Sequence, residues 1–362
     1  MPSRWRAVLV ALAAVAAVVV PTAPQAQAAD RVVTYSVTSQ GAVRADLGQF
    51  AAVAAGTLAD PRGWNLGGTL GFSRVPSGGD FTLVLAAPAV IGRLAGCDAY
   101  YSCRVGRNVY INDDRWRTAT GTWPHGVPYY QQYVITHEVG HWLGLGHSNC
   151  PGAGRLAPTM QQQSINLQGC RSNMWPLIAE RERVGRNMGV GVAWTAIERR
   201  YRDLGQERGL LGGPVTWETP TPGNRGVMQH FDRAGGASIY WSPSTGAHEV
   251  YGQIRAHWGR LGWELGPLGF PVTGERPTPD GVGRFNHFAG AYGSSIYWTP
   301  STGAHEVYGA IRARWAAQGW ERGRLGYPVS GEYAVPGGRQ TDFQGGSIRW
   351  TAATGATQVL LR

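Results

Sequence analysis

The C-terminal half of the chain is built from a segment that recurs at a fixed spacing of 57 residues. Leu211, Leu268 and Leu325 each begin a Leu-Gly-X-Pro motif. The fifteen residues that start at Ser238 recur from Ser295 with a single Ser-to-Thr change. Three copies at a constant period indicate a modular array in which each unit packs mainly on its neighbours.

Each unit combines a short amphipathic helix with turns and short strands. Ile254, Trp258 and Leu261 are spaced to share one helical face. The Ile-Tyr-Trp triplets lie between Gly- and Ser-rich turns, which favours strands that lead into hairpins. We expect units at about 197–253, 254–310 and 311–362, the last one shortened. Their many Trp residues are expected mainly in the core, with sugar stacking as the alternative.

These residues resemble the LGFP repeat, a module of exported actinobacterial proteins that contact the cell envelope. The resemblance covers about 195–362, and the first motif, Leu211-Gly212-Gly213-Pro214, departs from the signature. It implies a cell-wall partner, either polysaccharide or peptidoglycan.

The N-terminus has the order of a secretory signal peptide. Arg4 and Arg6 precede an apolar run over 7–20, which is followed by the small-residue stretch Ala26-Gln27-Ala28. A membrane anchor is the alternative, but a span needs about 20 apolar residues. We therefore predict a signal peptide over 1–28 and a secreted protein, associated with the cell wall, that has no membrane span.

The chain has four cysteines, Cys97, Cys103, Cys150 and Cys170. An even number of cysteines in an exported protein favours disulfides, and the lack of a Cys-X-X-Cys pair argues against a cysteine-rich zinc site. Three pairings are possible. Sequence proximity favours Cys97–Cys103 and Cys150–Cys170.

The positive charge of the chain comes from arginine alone. All 33 basic residues are Arg, and the formal net charge is +10. This balance favours an acidic wall polymer as a partner. Export and the lack of a clustered basic stripe argue against nucleic acid.

Residues 179–194 mix Arg, Gly and Glu without a sustained apolar period, which predicts a linker. The N-terminal domain is then expected over 30–178 and the repeats over 195–362. Because no metal motif occurs in the repeats, the two halves are expected to be separable.

The N-terminal domain contains the segment His137-Glu138-Val139-Gly140-His141-Trp142-Leu143-Gly144-Leu145-Gly146-His147. Two His at positions i and i+4 project from one side of a helix and can bind one ion. Gly at position 144 permits the positive φ of a sharp turn. His147 can then supply a third nitrogen. The pattern predicts a catalytic Zn²⁺ site with an open fourth position and Glu138 as general base.

This motif is similar to that of the metzincin clan of zinc peptidases. The resemblance implies an α+β fold, a mixed sheet packed on helices, with a Met-turn beneath the metal. Met160 is favoured over Met174 for that turn, in a packing role. The clan also implies that the strand over 109–112 is the edge that pairs with extended substrate.

Three further segments resemble a group of exported actinobacterial metzincin-like domains of unknown function, over about 30–178. They are Tyr101-Ser102-Cys103-Arg104, Asn112-Asp113-Asp114-Arg115-Trp116 and Met160-Gln161-Gln162-Gln163. The resemblance implies a secreted zinc metallopeptidase that acts on peptide or protein substrates and is positioned at the envelope by its repeats. Two alternatives remain open: an amidase acting on peptidoglycan stem peptides, and a wall-binding protein with an inactive zinc domain.

Overall fold

The computed structural model describes residues 28–362, so the predicted signal peptide lies, apart from Ala28, outside the described residues. As predicted, the fold is mixed α+β, with eight α-helices and four sheets in this range. None of these helices combines the length and apolar character needed to cross a membrane.

The N-terminal domain, residues 28–194, consists of one sheet and five helices. Its elements are β1 (Arg31–Gln40), α1 (Leu47–Ala59), β2 (Leu70–Arg74), β3 (Phe81–Ala86), α2 (Pro88–Ile91), β4 (Cys103–Val105), β5 (Asn108–Asn112), α3 (Asp113–Thr118), α4 (Val127–Trp142) and α5 (Ile178–Met188). The strand order is β2-β1-β3-β5-β4. β1, β2, β3 and β5 are parallel, and β4 pairs antiparallel with β5.

The edge of this sheet nearest α4 is β4, and β5 is an interior strand. β5 pairs with β3 on one side and with β4 on the other, so its backbone groups are already used. The prediction that 109–112 forms the exposed edge is therefore wrong. Arg104 of β4 donates from Nη2 to the carbonyl of His141 at 3.0 Å, which ties the edge strand to α4.

The segment predicted to be a linker, 179–194, instead contains most of helix α5. Val184 is fully buried and Met188 is 9% exposed in the core of the N-terminal domain. Glu180 and Arg181 are buried as well. Because two of its five buried residues are charged, the helix lacks the apolar period that sequence analysis relies on.

The repeat array, residues 195–362, contains three helices and three four-stranded antiparallel sheets. Its elements are α6 (Ala196–Asp203), β6 (Thr219–Pro220), β7 (Val227–Phe231), β8 (Ala237–Ser242), β9 (Gly246–Tyr251), α7 (Gly252–Arg260), β10 (Arg276–Pro277), β11 (Arg284–Phe288), β12 (Ser294–Thr299), β13 (Gly303–Tyr308), α8 (Gly309–Ala317), β14 (Tyr333–Val335), β15 (Gly338–Phe343), β16 (Gly346–Thr351) and β17 (Thr357–Leu361).

The units of the array share their cores across the boundaries between them. The cluster around Ile254 and Trp258 of α7 includes Tyr240 from the preceding sheet and Ile296 from the following one. Trp258 and its counterpart Trp315 are fully buried, as expected of core residues. Helices α7 and α8 therefore each act as a shared layer between two sheets.

The first unit packs directly on the N-terminal domain. Trp217 lies against the core of that domain, and its indole N–H donates to Asn173 Oδ1 at 2.7 Å. The backbone N–H of Leu156 donates to the carbonyl of Pro214 at 3.0 Å. The halves therefore share packed surface, which the expectation of separable halves did not anticipate.

The departure of the first motif from the repeat signature has a local cause. In the second unit the ring of Phe270 packs against the preceding sheet. It lies so close to Gly226 that a Cβ at that position would be 2.8 Å from the Phe270 ring. The corresponding first-unit residue is Gly213, and a Cβ there would lie 2.7 Å from Arg155 Cδ. Asp232 accepts from the Gly213 N–H at 2.7 Å and from Arg155 Nε at 2.5 Å. Glycine thus leaves room for an arginine of the N-terminal domain.

Candidate metal centre

Helix α4 carries two of the predicted metal ligands on one face. The helix begins after Gly126 with proline in its first turn, and it buries Ile135 and Val139 in the core. The remaining face turns His137 and His141 into a cleft of about 410 Å³. The same residues that hold the helix in place therefore fix the direction of the imidazoles.

The chain turns sharply after α4, as the glycine at position 144 predicts. Gly144 has φ +88°, in the left-handed region. Asn187 of α5 donates to the carbonyl of Leu143 at 2.9 Å and so caps the end of the helix. The turn brings His147 back to the cleft.

The three imidazoles converge on one point. The Nε2 atoms of His137 and His141 are 3.2 Å apart, and those of His141 and His147 are 3.1 Å apart. One ligand atom from each residue lies within 4.8 Å of the others. For nitrogens about 2.0–2.1 Å from a tetrahedral zinc, the expected separation is about 3.3 Å. The triad can therefore hold one metal ion.

The outer nitrogens of two imidazoles are fixed by backbone carbonyls. His137 Nδ1 lies 2.8 Å from the Thr159 carbonyl, and His141 Nδ1 lies 2.9 Å from the Leu145 carbonyl. A carbonyl accepts only, so each Nδ1 carries the proton and each Nε2 presents its lone pair to the centre. This second set of contacts is the usual means of orienting a metal-binding histidine.

The electrostatics of the centre keep the imidazoles neutral. Burial, reinforced by His141 and His147, lowers the pKa of His137 to about 3. Burial also lowers the pKa of His141 and of His147. Neutral imidazole is the form that binds a metal, so these ligands need lose no proton at neutral pH.

Glu138 lies beside the triad and lines the same cleft. Its side chain is 6% exposed, and burial alone raises the pKa of its carboxyl to about 8. A cation held by the triad would lower this pKa again, so that with metal bound the carboxyl can accept and release a proton near neutral pH.

Met160, the residue predicted for the Met-turn, packs against α4 between two of the ligands. It is 1% exposed, and its Sδ lies 2.4 Å from the position that a Cβ on Gly140 would take. Only glycine at position 140 lets the thioether approach the helix so closely. Met174 is also buried in the same core.

A buried carboxylate, missed by the sequence analysis, braces the Met160 turn. Glu180 of α5 accepts from the backbone N–H groups of Thr159 and Met160 at 3.0 and 2.8 Å and from that of Leu177 at 2.8 Å. The peptide unit between Thr159 and Met160 therefore bonds to Glu180 through its N–H and to His137 through its carbonyl. Glu180 thus reaches the metal centre through one peptide group.

Replacing Glu180 with Gln should destabilise the protein by about 1–3 kcal/mol, because an amide nitrogen would then face backbone donors. Thermal unfolding measures this cost. Glu182→Gln, a half-buried residue of the same helix whose carboxylate pairs with the exposed Arg202, serves as the control. Equal melting temperatures for the two variants would contradict the bracing role.

The loop that carries Met160 is closed by a disulfide. Cys150 bonds to Cys170, and Cys97 bonds to Cys103, which is the pairing that sequence proximity favours. No free cysteine occurs among residues 28–362. The Cys150–Cys170 disulfide joins two residues that are 20 positions apart and follow His147 in the sequence. It therefore limits the freedom of the loop beneath the centre.

Replacing Cys150 and Cys170 together with Ser should lower the free energy of unfolding by about 3 kcal/mol in the chain-entropy model. Denaturant unfolding of the oxidised protein and of the double variant gives the difference. The Cys97/Cys103 double variant, with a separation of only 6 residues, should lose less. The opposite order would contradict the assignment of the longer loop as the main constraint.

The cleft has a polar lining that was only partly anticipated. Tyr133 donates from its hydroxyl to the Gln161 carbonyl at 2.9 Å and accepts from the Gln163 N–H at 2.9 Å. Burial raises the pKa of its phenol, and the hydroxyl is already used by the loop. Tyr101 and Ser164 also line the cleft. Tyr101 belongs to a segment that the family resemblance singled out, whereas nothing in the sequence pointed to Ser164.

Comparisons with known proteins find one family match in the N-terminal half of the chain and a repeat family in the C-terminal half. Residues 11–181 match the model of a family described as "Protein of unknown function (DUF3152)". Residues 211–266, 268–323 and 325–361 each match the LGFP repeat. The matched units begin at the Leu-Gly-X-Pro motif, so each starts later in the sequence than the predicted unit. The spacing of 57 residues between units is the same. No curated protein matches this chain.

Among solved structures, archaemetzincin from Methanopyrus kandleri is similar to this chain at 15% sequence identity and a TM-score of 0.29. The match covers 43% of this chain and 96% of that protein. The chain thus combines a DUF3152 domain with three C-terminal LGFP repeats.

Proposed function

We propose that the N-terminal domain is a zinc-dependent peptidase and that the repeats position it at the cell envelope. The convergence of three imidazole Nε2 atoms beside the buried carboxyl of Glu138 carries this proposal. A purely structural zinc site is closed by four protein ligands, whereas three ligands at an open cleft are typical of a catalytic site.

His137, His141 and His147 would hold the zinc. When bound, the ion polarises a substrate carbonyl and lowers the pKa of water in the site toward about 7. Glu138 then accepts a proton from the attacking water and delivers it to the leaving nitrogen of the amide. The intact Glu138 favours an active enzyme over the alternative of an inactive wall-binding domain.

Backbone groups near the centre favour an extended peptide as the substrate. β4 pairs with β5 on one side and lies at the edge of the sheet on the other. Two of its residues, Cys103 and Arg104, line the cleft. An exposed strand edge offers main-chain donors and acceptors to an extended chain regardless of its side chains.

Export and attachment to the wall form the second part of the proposal. The two disulfides support folding in an oxidising compartment. The three LGFP repeats support association with the envelope. The positive net charge, which remains after the predicted signal peptide with Arg4 and Arg6 is removed, favours an acidic polymer there.

Metal analysis tests the first part directly. The full-length protein should bind about one zinc per chain, and His137→Ala or His147→Ala should each reduce the zinc content severely. His125→Ala, an exposed histidine outside the cleft, should leave it unchanged. Protein purified without chelator that contains no zinc would overturn the enzymatic proposal.

A cleavage assay tests the reaction. Unfolded protein and isolated wall fragments, each with and without a chelator, separate a general peptidase from an amidase acting on stem peptides. We expect chelator-sensitive cleavage of the unfolded protein. Cleavage confined to wall fragments would favour the amidase.

A further inference from the structure

Two arginines occupy equivalent places in the array, 57 residues apart. Arg255 of α7 donates from Nε to Ser238 Oγ at 2.7 Å, and Arg312 of α8 donates from Nε to Ser295 Oγ at 2.6 Å. Each guanidinium lies over a tryptophan ring. The distance to the ring centroid is 4.9 Å for Arg255 and Trp263, and 5.0 Å for Arg312 and Trp320. The same geometry is thus built twice.

Neither guanidinium is paired with a carboxylate of the described residues. Three other arginines of the array, Arg200, Arg284 and Arg339, each form an ion pair with a glutamate. Burial lowers the pKa of Arg255 and of Arg312, and no carboxylate offsets that effect. A half-buried cation without a counter-ion is costly, which favours an anion from outside the chain.

A histidine adds a second donor at each place. Ser238 Oγ accepts from Arg255 and lies 2.7 Å from His230 Nδ1, so in one imidazole tautomer the serine donates its proton to that nitrogen. Ser295 and His287 repeat the contact at 2.7 Å. With Nδ1 accepting, the remaining proton of each neutral imidazole is on Nε2. Burial and the nearby arginine lower the pKa of His230, so this neutral form holds at neutral pH.

The serine brings the two donors together. Arginine Nε and histidine Nδ1 contact the same oxygen, so the free guanidinium N–H groups and the imidazole Nε2–H lie on adjacent side chains. Each place then offers one charged and one neutral donor, and no carboxylate of residues 28–362 forms an ion pair with its arginine. Anionic oxygens match such a set, because charge-assisted hydrogen bonds from arginine to phosphate or carboxylate are the strong ones.

We propose that the array carries two equivalent anion-binding sites, one formed by Arg255 and His230 and the other by Arg312 and His287. Their ligands are phosphate or carboxylate groups spaced along an acidic polymer of the cell wall. The choice of polymer rests on the envelope association proposed above, whereas the two sites follow from the side-chain geometry. Two linked sites on one chain bind a repeating polymer more tightly than either site alone.

Wall binding by the full-length protein tests the proposal. Arg255→Gln and Arg312→Gln should each weaken binding to purified actinobacterial walls by roughly tenfold, and the double variant should weaken it further. The control is the double variant Arg314→Gln with Arg322→Gln, which removes the same charge from two exposed arginines that form no ion pair within residues 28–362. Equal binding by the two double variants would overturn the sites.

Treated walls distinguish the source of the anion. Hydrofluoric acid removes phosphodiesters, and carbodiimide with an amine neutralises carboxylates. Loss of binding after one treatment identifies that group as the ligand. Unchanged binding after both treatments would contradict the proposal, since no anionic oxygen would then be required.

Titration with inorganic phosphate and with glucuronate tests the sites apart from the wall. The imidazole nitrogen signals of His230 and His287 should shift in the nuclear magnetic resonance spectrum of the full-length protein. Arg312→Gln should abolish the shift at His287 and keep the shift at His230. If wild-type protein fails to bind walls but shows these shifts, the envelope proposal fails and the sites stand; without any shift, the sites themselves are refuted.

Discussion

Glu138→Gln should bind zinc as the wild type does and should lose hydrolysis by about 10²- to 10⁴-fold, the usual contribution of a positioned general acid or base. The amide keeps the shape of the side chain but cannot accept the proton of the attacking water. Both results are measured on the same sample. Metal analysis gives the zinc content, and the cleavage rate on a substrate that the wild type cleaves gives the loss of hydrolysis.

The comparison with a ligand variant separates the two roles in the motif. His141→Ala should lose both zinc and activity, whereas Glu138→Gln should lose activity alone. A Glu138→Gln variant that turns over at nearly the wild-type rate would show that another group serves as the base. Loss of zinc in that variant would instead make Glu138 part of the metal-holding set.

A shortened chain that ends at residue 178 should fail to fold, although the sequence alone places the end of the domain there. Ending at 178 removes the buried side chains of Val184 and Met188, the Asn187 cap on α4 and the Glu180 brace on the Met160 turn. Each buried apolar side chain is worth about 1.5–3 kcal/mol, so the sum approaches the whole stability of a domain of this size.

A second shortened chain, ending at residue 194, is the matched comparison. It keeps α5 and loses the contacts with the first repeat, which include the packing of Trp217, the Leu156–Pro214 hydrogen bond and the Arg155–Asp232 ion pair. We expect it to fold with reduced stability and to bind zinc, as measured by circular dichroism and metal analysis. Cooperative unfolding of the 178-residue chain at the wild-type temperature would contradict the place given to α5.

The metal centre was predictable because its determinants are local. The spacing of His137 and His141 follows from the pitch of one helix, and the turn at Gly144 follows from the conformational freedom of one residue type. The repeat was equally accessible, since a constant period needs no knowledge of the fold.

The supports of the centre were not predictable because they come from distant parts of the chain. Glu180 has the appearance of a solvated charge in a polar segment, and its three backbone partners are known only from the fold. The clan resemblance implied that β5 is the edge strand, and only the fold shows that β4 pairs with it. Gly213 looks like decay of the repeat signature until Arg155 is found in the space that an aromatic ring takes elsewhere.

The junction at Gly213 also determines how far the array can reach. The first repeat is held against the N-terminal domain by the Arg155–Asp232 ion pair, the Leu156–Pro214 hydrogen bond and the indole of Trp217. The cleft and the array are therefore not joined by a flexible linker. Repeats stacked through shared helices then extend as a spacer of set length. An enzyme held at its far end would cleave bonds at a fixed distance from its point of attachment, and adding or removing one 57-residue unit would move that distance in a single step.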